Sequence, residues 1–223
     1  MKRALLAAIA LCVAAAPAPK VVPLLEARDL DPALVLPPPP AANSLQALAE
    51  LAELRAAGAA RTAVDEADAR LDGDTKNATI FAGVLGPKFD LDRLPATAAL
   101  LAQVRASEKA AVDRGKDHFK RPRPYIVEPA LKSCKRNDDP LSGYPSGHTS
   151  MAFSMGETLA RLVPEKADAL LARAARYGQS RIVCEQHFRS DVSAGQMLGV
   201  LIAERLLAKP EFRAAFDAAR QEL

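Results

Sequence analysis

Tryptophan is absent from this 223-residue chain, and aromatic residues make up only 4% of it. Sheets draw on aromatic and β-branched side chains, so an Ala- and Leu-rich chain with few aromatics points to helices packed on helices. No segment alternates polar and apolar residues as a half-buried strand would, and no internal repeat is visible, which excludes a solenoid. Charge of one sign is also scarce: 30 basic residues face 27 acidic ones, a formal net charge of +3. Lys2 and Arg3 lie in the first residues; without them 28 face 27, about +1, which gives no electrostatic footprint for nucleic acid. Histidines and cysteines number three each. Beyond the first residues no apolar run is long enough to span a membrane, because Gln196, Glu204 and Arg205 interrupt the best candidate; stable membrane insertion is not expected.

Residues 1–16 read as a secretory signal: Lys2 and Arg3, then the apolar run Leu5 to Val13, then Ala14–Ala15–Ala16 for cleavage. That predicts a periplasmic or secreted protein. Export permits a disulfide between Cys134 and Cys184, and equally permits two separate buried thiols. Residues 17–42 form a Pro/Ala-rich arm ending in four consecutive prolines, which cannot be helix interior. Disorder or loose packing is expected of it, ahead of an arm draped over the domain.

Residues 43–223 should form one helical domain. Asn43 and Ser44 can cap a helix carrying Leu45, Leu48, Leu51 and Leu54 at helical spacing. A second helix should run from Arg61 to Leu71 and break at Asp72–Gly73–Asp74, and a short apolar one should end at Gly86–Pro87. Pro95 suits the first turn of a helix reaching Phe119, with Leu100, Leu101, Val104 and Ala111 on one buried stripe. After an irregular stretch from 125 to 145, helices are expected from Ser146 or Gly147 to Leu162, from Pro164 to Arg181, from near His187 to Leu207, and from Pro210.

Three short segments concentrate the reactive side chains: Lys116 to Pro124, Tyr144 to Thr149, and Ser180 to Asp191. On a helix, His187 and Asp191 share a face, so the carboxylate could accept the Nδ1–H of the ring and leave Nε2 as a lone pair for attack. The turn Pro145–Ser146–Gly147–His148 leads into a helix N-terminus, whose unpaired amides and positive dipole end suit a phosphate dianion. Ser146 could cap that helix or donate to the anion. His148 would stand beside the bound group, placed to give a proton to a leaving oxygen. Arg181 offers bidentate contact, and Lys116 and Arg123, seven apart, would share a face if the helix continued through both. Lys120 and Arg121 read as a solvated charge run, and His118 as structural.

Taken together the pattern is K-x6-R-P, then P-S-G-H, then S-R-x5-H-x3-D. In every fixed position and in order it resembles the signature of the type 2 phosphatidic acid phosphatase superfamily, which holds bacterial class A non-specific acid phosphatases, lipid phosphatases and vanadium-dependent haloperoxidases. The wording most resembles the class A acid phosphatases, over roughly residues 44–220. The resemblance implies an all-α single domain that hydrolyses small phosphorylated substrates without metal or other cofactor. It implies that His187 forms a phosphohistidine with Asp191 orienting it, and that His148 protonates the leaving alkoxide. It implies that Lys116, Arg123, Ser146, Gly147 and Arg181 bind the phosphoryl oxygens. Broad specificity and transfer to alcohols would follow the same model; a homodimer is left open, and a vanadate-dependent haloperoxidase is the alternative. The chain departs from the usual wording at Ser142–Gly143, at Glu185 and Gln186, and at Phe188, where Trp is commoner. Glu185 would put an extra negative charge near the site.

Overall fold

A computed structural model describes residues 21–136 and 139–223 of the protein. The expected secretory signal, 1–16, lies outside the described residues. Those residues form ten α-helices joined by turns and two short 3-10 segments, and contain no strand. In chain order the helices are α1 (Pro32–Val35), α2 (Leu45–Ala60), α3 (Ala63–Asp74), α4 (Ala82–Leu85), α5 (Pro95–Phe119), α6 (Pro124–Val127), α7 (Gly147–Leu162), α8 (Ala167–Val183), α9 (Arg189–Leu207) and α10 (Pro210–Arg220). Among them no helix is long and apolar enough to cross a membrane.

The central element is α7. Twelve of its sixteen residues are buried, on all sides, because α5, α8 and α9 surround it. The contact with α9 is backbone-close. A Cβ on Gly195 would lie 2.5 Å from the Ser146 carbonyl oxygen, and one on Gly199 would lie 2.6 Å from that of Ser150. Only glycine at both positions lets α9 rest on the first turns of α7. The amide of Ser146 then donates to the Asp191 carbonyl at 2.9 Å, fixing the two helix starts against each other. On the outside, α10 covers α5 and α9, and α3 packs on α8.

Local sequence explains most of the boundaries. Ser44 accepts from the Ala47 amide at the start of α2, and Thr62 with Asp65 forms a reciprocal cap on α3. Pro95 stands in the first turn of α5, whose end is set by Lys120 in the left-handed region (φ 45°).

Five expectations need correction. The arm, from residue 21, is packed: Leu25, Leu30 and Leu36 are buried, the Leu24 amide donates to Ser107 Oγ at 3.0 Å, and Arg114 donates to the Leu30 carbonyl at 3.1 Å. Pro32 opens the short helix α1 on the flank of α5, and the widely spaced leucines of the segment fill the core there. Next, α3 continues through Gly73 to Asp74. On α2 only the second half of the leucine stripe is covered: Leu45 is 87% and Leu48 52% exposed, Leu51 is half-buried and Leu54 buried, and Glu50 is buried beside them. Lys116 and Arg123 do not share a helix face, since α5 ends before Arg123, which stands at the N-terminus of α6. Finally, α9 begins at Arg189, so His187 precedes the helix, and Phe188 occupies the cap position.

Candidate active site

His187 is 1% exposed and tied at both ring nitrogens. Its Nδ1 lies 2.7 Å from the Gly143 carbonyl oxygen, which can only accept, so Nδ1 carries the proton. Nε2 then holds a lone pair, toward which Arg123 Nη1 donates at 2.7 Å. The shorter bond to Nδ1 is therefore to Gly143, while the nearer Asp191 oxygen stands at 3.4 Å. The side-chain–carboxylate bond expected from helical spacing is replaced by a carbonyl bond because His187 lies outside the helix. Burial, then the charges of Arg123, Lys116, His148 and Arg181, hold the ring far below its usual pKa. The same four groups were expected at one site, and their fields converge on this ring.

Asp191 sits in the first turn of α9, where Oδ2 accepts from the Phe188 amide at 2.8 Å. Oδ1 accepts from Arg121 Nη1 at 2.5 Å. Arg121 also donates to Ser190 Oγ at 2.6 Å and to Glu50 Oε2 at 3.0 Å, and stacks on the Phe188 ring at 4.4 Å. Glu50 closes the ring by accepting from the Ser190 amide at 2.7 Å. Burial pushes the Asp191 carboxyl up, while Arg121 and the Phe188 amide pull it down. Sequence reasoning missed Arg121 and Glu50. Arg121 looked like part of a solvated basic run, and no local pattern distinguishes Glu50 from its exposed neighbours on α2.

At the start of α7, Ser146 Oγ caps the helix, accepting from the Thr149 amide at 3.4 Å and its hydroxyl at 2.9 Å. The next residue, Gly147, lies close to the Lys116 ammonium: a Cβ there would be 3.6 Å from Nζ. His148 is partly buried, and its Nε2 donates to the Gly73 carbonyl at 3.0 Å. Loss of water around the ring and the Arg181 guanidinium push its pKa down to about 3. Gly73 has a second role, because a Cβ there would lie 2.7 Å from Arg181 Nη1; its bareness admits the guanidinium beside α3. Arg181 is buried, donates to the Ala69 carbonyl through Nη2, and leaves its Nε without a partner among the described residues. Arg123 is braced by Ser142 Oγ at 3.0 Å and the Gln186 carbonyl at 3.1 Å.

Two cavities flank His148. One, of about 250 Å³, is lined by His148, Arg181, Gln186, Lys76 and the Cys134–Cys184 pair. The other, of about 170 Å³, lies along α5 and includes Lys116, Gly147 and His148. Cys134 and Cys184 are joined in a disulfide, with Cα atoms 5.0 Å apart, which ties the loop after α6 to the segment before His187. Glu185 lines neither cavity. Its buried carboxylate turns toward α2, 3.8 Å from Arg61, so the negative charge expected beside the site faces away from it. His118 is exposed at the end of α5 and takes no part. Among the described residues no group of three or more His, Cys, Asp or Glu is arranged to hold a metal ion.

Comparison with known proteins gives a consistent result. The model of the PAP2 superfamily matches residues 96–213. The chain is 33% identical to an acid phosphatase of Zymomonas mobilis over 203 residues, covering 86% of this chain and 75% of that one. It is 29% identical to a non-specific acid phosphatase of Salmonella typhi, covering 73% of this chain and 66% of that one. Among solved structures, LpxE of Aquifex aeolicus has a similar fold, with a TM-score of 0.54 at 21% identity, covering 69% of this chain and 92% of that one.

Proposed function

We propose that this chain, which belongs to the PAP2 superfamily and is an acid phosphatase, hydrolyses phosphomonoesters through a phosphohistidine on His187. The observation that carries the reading is the fixed tautomer of His187: Nδ1–H is held by Gly143, and the Nε2 lone pair lies within the cationic cluster. Lys116, Arg123 and Arg181 hold the non-bridging oxygens, together with the amides at the start of α7. Nε2 attacks phosphorus, the N–P bond forms and the P–O bond to the alcohol breaks. The departing alkoxide takes a proton from His148. Since Nε2 of His148 is held by Gly73, Nδ1 is the nitrogen that exchanges it. Water then attacks phosphorus and gives a proton to His148; the N–P bond breaks and phosphate leaves. An alcohol in place of that water gives phosphotransfer.

Arg121 keeps Asp191 in position, and Asp191 with the Gly143 carbonyl stabilises the ring as it gains positive character on attack. The cavities on both sides of His148 leave room for a broad range of alcohol portions. The disulfide supports an exported enzyme. The test is hydrolysis of p-nitrophenyl phosphate in the presence of EDTA. His187→Ala should lose turnover by about 10⁴-fold or more while remaining folded, and a denaturing quench of the parent enzyme at alkaline pH should trap a phosphoprotein that is stable in base and lost in acid. Undiminished turnover in that variant would overturn the phosphohistidine.

A further inference from the structure

The cavity along α5 opens beside Lys116 and His148, so in the phosphatase reading it has room for what is attached to the phosphoryl group. Its walls carry cations beyond those the phosphoryl group needs. Lys109 is neutralised by Asp113, with Nζ 2.5 Å from Oδ2. Lys76 makes no ion pair among the described residues, and it lines both cavities beside His148. Arg105 uses Nη1 alone, for Glu108, leaving Nε and Nη2 without a hydrogen bond among the described residues. Glu108 is fully buried, with Oε2 on Arg105 and Oε1 lacking any partner among the described residues. A buried carboxyl with one partner pins that guanidinium to the cavity wall, presenting its remaining edge.

We propose that Arg105 and Lys76 form a second anion-binding subsite, and that the preferred substrates are phosphomonoesters whose alcohol portion carries a further carboxylate or phosphate. This rests on the phosphatase reading above. A nearly neutral chain offers no general attraction for such substrates, so the preference is local. Here Arg105 is a specificity residue and Glu108 positions it.

The test compares 2-phosphoglycerate with glycerol 2-phosphate, which differ by a carboxylate in place of a hydroxymethyl group. The parent enzyme should favour the former in kcat/KM by about tenfold, the scale of one charge-assisted bond. Lys76→Gln should reduce that ratio, and Arg105→Gln/Glu108→Gln, which leaves no unpaired buried carboxylate, should bring it toward one. Calorimetric binding of both compounds to His187→Ala protein reads the same ratio without turnover, so failure of the subsite and failure of the catalytic reading separate. No preference in the parent, a ratio unchanged in the variants, or equal losses for both compounds would overturn the subsite.

Discussion

The two histidines of the site occupy opposite kinds of surroundings. His187 is enclosed, with bonds at both nitrogens and its segment clamped by Gly143, Arg123 and the Asp191–Arg121–Glu50 chain. His148 is partly buried, its ring makes one hydrogen bond among the described residues, and it stands between two cavities. A nucleophile gains from a single pose, since misplacement by about 1 Å can cost about 10²-fold in rate. A proton carrier must meet first the leaving oxygen and later the water, so it needs access from both sides. Rigidity and access are thus divided between neighbouring elements: the start of α9 supplies one, and the start of α7 the other.

The largest expected effect isolates the proton carrier of the proposed mechanism. His148→Ala should slow hydrolysis of an alkyl phosphate by about 10³-fold, but slow the first chemical step with p-nitrophenyl phosphate far less, because that leaving group needs no proton. Equal losses for both would break the division of labour. Next comes the clamp. Arg121→Met leaves Asp191 and Glu50 buried without their cation, and should cost about 3–5 kcal/mol of stability in chemical denaturation and lower kcat with KM little changed. A smaller effect concerns charge. The His148 ring should titrate near 3 by NMR in the protein alone. Bound inorganic phosphate offsets Arg181, favours the protonated ring, and should move the midpoint upward; a fixed midpoint would place the phosphate elsewhere.

The smallest effect lies outside the two histidines. Burial raises the Glu108 carboxyl to about 7 from 4.5. Between those values the folded chain holds a proton that the unfolded chain has lost, so this group's contribution to stability falls as pH rises from about 4.5 through 7. Glu108→Gln removes that loss. Its melting temperature relative to the parent should therefore increase between pH 5 and pH 8.

How far these contrasts could be read from sequence depends on whether the signal is local. Pro95, Gly147 and Pro210 mark helix starts through backbone chemistry that needs no tertiary partner, and the helices begin there. The three segments were legible as one site because reactive residue types cluster in each, and the fold brings them together. What escaped is held by distant partners. Glu50 reaches Arg121 and Ser190 across 71 and 140 residues, and those contacts separate it from an ordinary surface glutamate. The Gly143 carbonyl, which fixes the tautomer of His187, is a backbone atom that no residue type advertises. On α2 the leucines Leu51 and Leu54 do turn inward, but no periodicity shows that Glu50 turns inward with them, to meet buried Arg121.

The packed arm has a consequence for the order in which the molecule can complete itself. The Leu24 amide finds its acceptor on Ser107, 83 residues later, and Asp29 meets Lys209 after 180. A chain made or exported from its N-terminus presents these leucines long before the helices that shelter them exist. The arm therefore cannot dock before α5 has been made, and its tie to Lys209 waits for the end of the chain.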